Sequence, residues 1–332
     1  TKMTKILMTS VRDDEQAAIQ DYATRNKVEI VTSPQPIEEV LELTADVDGV
    51  VIQQRDPLGK EVYPTLKANG LKQIATRTAG YDMVDLAAAK QNGLKVTNVP
   101  AYSPRSVAEH ALMQIFRLLR KTPEVDRRVA ENDYRWPGLQ AKEIHSVTVG
   151  IIGVGRIGGT LATLLHALNT RVLGYDLKPR EEMEGIVEYV SKEELLRQSD
   201  VVSLHVDLNP TSEGLLTKAE FDQMKPGASL VNASRGPVVN TADLINALKD
   251  GPLAFAALDT VEGEGPIFNA DHRQDGLKGE PLVEELHAMN NVILTPHIAF
   301  FTNIAVQNMV DISLDDVITI LNGQPSEHEV AN

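Results

Sequence analysis

Short apolar, β-branched runs and longer amphipathic stretches alternate along almost the whole chain. In the first hundred residues the runs read KILMTS from Lys5, VEIVT from Val28, GVVIQ from Gly49, QIATR from Gln73 and KVTNV from Lys95. Such short continuous runs, bounded by polar residues, glycine and proline, mark strands that are buried on both faces. Helical patterns fill the gaps, for example at Asp13–Asn26 and Asp85–Asn92. Ser103-Pro104 then joins an N-cap residue to proline at the first helical position, which opens a long amphipathic helix towards Arg120. From Val147 a second series follows: VTVGII, RVLGY, DVVSLH, ASLVNA, LAFAALD and NVILTP. The last pattern is a helix from about Thr302 to Leu321, with a broad apolar face. Strands alternating with helices predict an α/β fold built on parallel sheet. Two segments break the alternation. Glu262–Asn291 is a long acidic, glycine-rich connection, and Asn132–Ile144 carries the single tryptophan, Trp136.

The sharpest local signal is Gly153-Val154-Gly155-Arg156-Ile157-Gly158, which ends an apolar strand and opens a helix. A dinucleotide needs this arrangement for physical reasons. The first glycine allows the tight turn, the second lets bare backbone approach the pyrophosphate, and the third lets helix pack closely on strand. The helix then aims unpaired N–H groups and its positive dipole end at the phosphates. Arg156 is either a further phosphate contact or a solvated side chain of the first helical turn. Asp176 ends the next strand, where a carboxylate can accept from both ribose hydroxyls and repel a 2′-phosphate. The expected cofactor is therefore NAD.

At 332 residues the chain exceeds the usual size of one core, so two domains are expected. No stretch resembles a transmembrane helix or a signal peptide, and the expected location is cytoplasmic. The absence of cysteine excludes disulfides, thiolate catalysis and cysteine-ligated metal, and no metal site is expected. A net charge of −15 argues against nucleic acid or an anionic membrane as partner. It also means that an enzyme of anionic substrates must concentrate positive charge at its site.

In a parallel sheet, ligands bind beyond the carboxyl ends of the strands. In the second series Arg235 follows SLVNAS, Asp259 ends AFAALD, Glu264 lies in the acidic loop, and His297 follows VILTP. These residue types suit hydride transfer to a 2-oxo acid. A carboxylate and carbonyl want a planar, permanently charged, forked donor, which is arginine. The forming alkoxide needs a proton, which imidazolium supplies near neutral pH. A carboxylate beside the histidine orients it and favours its charged form.

NASRG at 232–236, LDTVEGEG at 258–265 and TPHIAFFT at 295–302, downstream of GVGRIG, resemble the D-isomer-specific 2-hydroxyacid dehydrogenase family, as do RTAGYDMVD and NVPAYSPRSVAEHA earlier in the chain. The resemblance implies a Rossmann-like NAD-binding domain at 102–298. It also implies a flavodoxin-like substrate domain built from both chain ends, 1–101 and 299–332. Arg235, Glu264 and His297 match the family's catalytic residues, and Asp259 matches the acid near the nicotinamide carboxamide. Cofactor contacts extend to Ile157, His205, Val206, Ala233 and Ser234. The backbone of Ala79 and Gly80 matches the loop that grips the substrate carboxylate, Tyr102 matches a hinge-side tyrosine, and Ile52 would face the substrate's side chain. There is one departure: the family often reads His-Val-Pro where this chain has His205-Val206-Asp207.

Gly265 after Glu264, with EGEGPIF and HIAFFT, is closer to the D-lactate and D-2-hydroxyisocaproate branch than to phosphoglycerate-type members. The expected reaction is reduction of a 2-oxo acid, pyruvate or a bulkier one, to the D-2-hydroxy acid. Hydroxypyruvate, glyoxylate or phosphoglycerate dehydrogenation and a dinucleotide-sensing corepressor role are the alternatives. The apolar Ser103–Arg120 helix, which carries Val107, Ala108, Ala111, Leu112, Ile115, Phe116, Leu118 and Leu119, is either a domain-core helix or a subunit contact. The resemblance implies the second, a homodimer joined through the NAD-binding domain.

Overall fold

A computed structural model of the chain describes residues 2–277 and 279–330. The chain forms two compact units. One runs from the N-terminus through Ser103 and resumes at Phe301, and the other is Pro104–Phe300.

The first unit is built on five strands: β1 (Lys5–Met8), β2 (Glu29–Thr32), β3 (Gly49–Ile52), β4 (Gln73–Thr76) and β5 (Lys95–Thr97). They pair in parallel in the order β2-β1-β3-β4-β5, the flavodoxin-like doubly wound arrangement. The crossovers include α1 (Gln16–Asn26), α2 (Val62–Ala68) and α3 (Leu86–Gln91), the last capped by the Asp85 side chain, which accepts from the Ala88 amide. Strand residues alternate between two apolar layers. Leu7, Val50, Ile52, Ile74 and Val96 pack with Val62 and Leu66 of α2, whereas Ile6, Met8, Val51 and Ala75 face the other side.

The second unit opens with α4 (Pro104–Arg120) and α5 (Thr122–Ala130). Its strands are β6 (Thr148–Ile152), β7 (Arg171–Tyr175), β8 (Glu188–Tyr189), β9 (Val201–Leu204), β10 (Ser229–Asn232), β11 (Phe255–Leu258) and β12 (Val292–Leu294). All pair in parallel in the order β12-β11-β10-β9-β6-β7-β8, so the sheet grows outward in both directions from β6, as in dinucleotide-binding folds. The crossover helices are α6 (Arg156–Ala167), α7 (Lys192–Gln198), α8 (Lys218–Phe221), α9 (Thr241–Lys249) and α10 (Pro281–Ala288). Most of α4's apolar set is consumed inside this unit: Ala108, Ala111, Ile115, Leu118 and Leu119 pack with Val149, Ile151, Leu161 and Leu165. Met113 and Phe116 remain exposed.

The chain returns to the first unit with α11 (Asn303–Leu321), capped by the Thr302 side chain. Its Val306, Val310, Leu314 and Val317 complete the layer around Ile6 and Met8. The fit is close enough that a Cβ on Gly49 would lie 2.5 Å from Cγ1 of Val317. No helix among the described residues is long and apolar enough to cross a membrane.

At the carboxyl edge of the first sheet, Arg77 is wholly buried and its Nε donates to Glu15 Oε2 at 2.5 Å, with Nη2 donating to Oε1 at 3.1 Å. Removing one member of a buried ion pair strands the other. Arg77→Met should therefore destabilise the protein by about 3–5 kcal/mol, and the Arg77→Met/Glu15→Gln double variant should recover part of the loss. Urea unfolding of the three proteins checks both statements.

Candidate active site

The site is assembled from loops that leave the carboxyl ends of β6, β7, β9, β10, β11 and β12. At the end of β6 the backbone turns through Gly153 at φ +90°. A Cβ there would sit 2.2 Å from the carbonyl oxygen of His205, so only glycine fits the turn. At Gly158 a Cβ would lie 1.9 Å from the Gly153 carbonyl oxygen, which is the close approach of helix to strand. Gly155 differs: a Cβ built on it meets nothing within 4 Å, so this face of the loop is open to a bound group. Helix α6 begins at once with exposed Arg156, and half-buried Ile157 packs beside Val107, Ala233 and Ala299.

Asp176 sits just past β7. Its Oδ2 accepts from the Val154 amide and its Oδ1 from the Lys178 amide, each at 2.8 Å. The carboxylate thus ties the glycine loop to the neighbouring strand, and each oxygen keeps a further acceptor site for ribose hydroxyls. Arg180 also reaches this loop, its Nη1 donating to the Gly155 carbonyl at 2.8 Å. On the other side, His205 follows β9 with Ser203 Oγ 2.7 Å from its Nε2. Its buried Nδ1 has no partner, and burial pushes its pKa down to about 4. Val206 flanks the Gly153 turn, and the carbonyl of the departing residue, Asp207, accepts the Ser212 hydroxyl. A glycine turn with no room for side chains, an open face at Gly155 and a carboxylate at the next strand end together fit a dinucleotide.

Arg235 is exposed in the loop after β10, and its Nη1 donates to the Ser234 carbonyl at 2.7 Å. The loop is braced from below. Buried Asn232 accepts from the amide and hydroxyl of buried Ser234 and donates to the Arg235 carbonyl, with buried Ala233 between them. Gly236 follows, where a Cβ would lie 2.2 Å from the carbonyl carbon of Val261, so the arginine loop is pressed onto the acidic loop. Glu264 Oε1 accepts from the Val261 amide at 3.2 Å, which leaves Oε2 2.6 Å from Nδ1 of His297. His297 is left-handed at φ +56° and its side chain is 41% exposed. The sequence reading therefore names an arginine, a glutamate and a histidine that the fold carries on adjacent loops, two of them in direct contact.

Asp259 has a buried side chain whose Oδ1 accepts from the Thr295 hydroxyl at 2.6 Å and the Ile298 amide at 2.9 Å, and whose Oδ2 accepts from the Ala299 amide at 3.0 Å. This acid shapes the loop that carries His297. Thr295 and Asn232, the other two braces, are not among the residues singled out from the sequence. Their only signal is a polar residue at the end of an apolar strand.

In the first unit, the carbonyls of Ala79 and Gly80 accept from Asn98 Nδ2 and Thr78 Oγ1, each at 2.7 Å, which fixes the loop after β4. The Tyr102 carbonyl accepts from Asn308 of α11 at 2.6 Å. Ile52 has no exposed surface and belongs to its unit's own apolar layer, on the same strand face as Val50.

Residues 112–299 match the family model described as D-isomer specific 2-hydroxyacid dehydrogenase, NAD binding domain. The chain belongs to this family. It is accordingly an NAD-dependent oxidoreductase acting on the CH–OH group of D-2-hydroxy acids. It is 39% identical over 322 residues to a D-lactate dehydrogenase of Staphylococcus aureus, covering 96% of this chain and 97% of that one. Among solved structures, a D-lactate dehydrogenase from Sporolactobacillus sp. superposes with a TM-score of 0.96 at 51% identity, covering 99% of each chain. A D-2-hydroxyisocaproate dehydrogenase superposes at 0.92 with 33% identity, covering 99% of this chain and all of that one.

The Asp176 carboxylate opposes a 2′-phosphate, and exposed Leu177 follows it in place of a cation. NADH should be used with at least about tenfold higher kcat/KM than NADPH. Asp176→Ala should narrow that gap, because Lys178 and Arg180 stay nearby. Steady-state kinetics with both cofactors checks this.

Proposed function

We propose that the protein reduces pyruvate to D-lactate, with Arg235, Glu264 and His297 as its catalytic set. The observation that carries the reading is the 2.6 Å contact between His297 Nδ1 and Glu264 Oε2, beside the loop of Arg235. When bound, the reduced cofactor supplies the hydride that reaches C2 of the oxo acid. With Nδ1 turned to Glu264, Nε2 is the nitrogen left to give its proton to the C2 oxygen, and the reverse reaction returns the proton to it. Arg235 neutralises the substrate carboxylate and polarises the carbonyl through its forked N–H groups. Ala79, Gly80 and Tyr102 are assigned to the substrate, and Gly153, Gly155, Arg156, Ile157, Gly158, Asp176, His205, Val206, Ala233 and Ser234 to the cofactor.

The small substrate is supported by relatives titled D-lactate dehydrogenase at the highest identity reported above, and by the enclosed Ile52, which opens no extra volume. The second reading is a bulkier 2-oxo acid such as 2-oxoisocaproate or phenylpyruvate, favoured by the structural likeness to a D-2-hydroxyisocaproate dehydrogenase. A homodimer through the second unit is part of the proposal. The exposed apolar residues Met113, Phe116, Val129, Tyr134 and Trp136, the last 86% exposed, belong to α4, α5 and the segment after them. Such a surface is best explained by a second copy of the chain.

Four outcomes are expected. His297→Gln should lower kcat by at least about 100-fold, and Arg235→Lys, which keeps the charge but loses the fork, should raise KM for the oxo acid steeply. Across pyruvate, 2-oxoisocaproate and phenylpyruvate, kcat/KM should favour pyruvate by roughly tenfold or more, and a lead for the bulky acids would establish the second reading instead. Light scattering at micromolar concentration should report a dimer, and a stable monomer would overturn that part.

A further inference from the structure

The loop that carries His297 is held from a second direction, by α4. His110 projects from this helix with its side chain only 9% exposed. Its Nε2 lies 3.4 Å from Thr295 Oγ1, 3.7 Å from Asp259 Oδ1 and 3.3 Å from Gln114 Nε2. The Gln114 amide is itself fixed, because its Oε1 accepts from Arg117 Nη1 at 3.0 Å. Gln114 and Arg117 thus close off one side of the ring. Desolvation lowers the His110 pKa, Arg117 adds to the effect, and Asp259 opposes it. The Thr295 hydroxyl gives its proton to Asp259 Oδ1 at 2.6 Å, which leaves its oxygen to accept from His110 Nε2–H at 3.4 Å. Asp259 in turn binds the amides of Ile298 and Ala299, and its carbonyl accepts from the His297 amide at 3.0 Å.

We propose that His110, oriented by Gln114 and Arg117, is a positioning residue for the reaction: it holds Thr295 against Asp259 and thereby keeps His297 in the left-handed backbone geometry from which Nδ1 meets Glu264. The inference rests on His297 being the proton donor. His110 acts through Thr295 and Asp259, so its loss displaces the donor without removing a group that binds the cofactor. A displacement of about 1 Å at a reacting group costs on the order of 100-fold in rate.

The experiment compares His110→Phe, Thr295→Val, Thr295→Ser, the His110→Phe/Thr295→Val double variant and His297→Gln, all in the full chain. Each is measured for kcat and KM in pyruvate reduction, for NADH affinity by fluorescence, and for Tm. His110→Phe and Thr295→Val should each lower kcat by roughly ten- to a hundredfold while KM and NADH affinity stay near wild type. Thr295→Ser, which keeps the hydroxyl, should retain most of the activity, and the double variant should fall little below the worse single variant, because both break one network. Wild-type kcat in His110→Phe, a parallel loss of NADH affinity, or additive losses would overturn the proposal. Should His110→Phe fail to fold, the threonine pair decides: Thr295→Val at wild-type rate, or Thr295→Ser as slow as Thr295→Val, refutes it. His297→Gln separates the two levels. If it keeps its kcat, the donor assignment has failed; if it loses kcat while the others do not, only the positioning role has failed.

Discussion

The carboxylate of Asp259 is the interaction on which the His297 loop of the second unit depends. It sits at the end of β11, buried, and accepts from the Thr295 hydroxyl and the amides of Ile298 and Ala299 in the loop after β12. Between those contacts the chain makes a left-handed turn at His297, a conformation that a non-glycine residue adopts only at some cost. Such a turn persists where its surroundings over-determine it, and three hydrogen bonds to one buried acid do so. Without that anchor, the imidazole would have no defined direction relative to Glu264. The charge of Asp259 is thus committed to backbone, and Glu264 alone is left to address the imidazole.

The two carboxylates therefore divide the work by burial. Glu264 keeps a partly exposed side chain in the acidic loop, with one oxygen on the Val261 amide and the other on His297. Its position follows from a steric constraint upstream: Gly236 lets the arginine loop press onto the backbone of Val261 and Glu262, and Glu262 accepts from the amide and hydroxyl of Thr241 at the start of α9. One loop carries the permanent cation and the other carries the acid, and each limits where the other can go. In a chain with a net charge of −15, a cation fixed this closely matters for an anionic substrate.

Much of this was legible in the sequence because it rests on local signals. The β-branched runs of both sheets, the Gly153 turn, the Ser103-Pro104 start of α4 and the acid at 176 are short-range features, and the chain forms the corresponding elements with ends moved by a residue or two. The layer that Ile52 enters was not legible, because strand position alone does not decide it. It shares a face with Val50, and only the packing of α2 and its neighbours shows what covers that face. The partners of Asp259 were hidden for a related reason. A polar residue at a strand end can turn to ligand or to backbone, and the deciding partners, Ile298 and Ala299, lie on a different strand's loop. The same distance in sequence hid Thr295, whose partners are Asp259 and His110.

The first unit solves a comparable problem by other means. At its carboxyl edge Glu15 is also buried, but it accepts from the Arg12 amide and from Arg77, a guanidinium with no exposed surface. An acid satisfied by backbone amides fixes a loop and leaves the neighbouring field negative. An acid paired with a buried guanidinium fixes two strand ends and cancels its own charge. The first arrangement suits an edge where an imidazole must be oriented, and the second suits an edge that must stay rigid without adding to an already acidic surface. The Arg77 side chain further donates to the carbonyl of Ser10, which is itself left-handed at φ +53°. Both sheets thus hold a strained non-glycine turn with a buried acid network. In the second unit that turn places an imidazole within reach of a second carboxylate, and this is the difference on which the proposed chemistry rests.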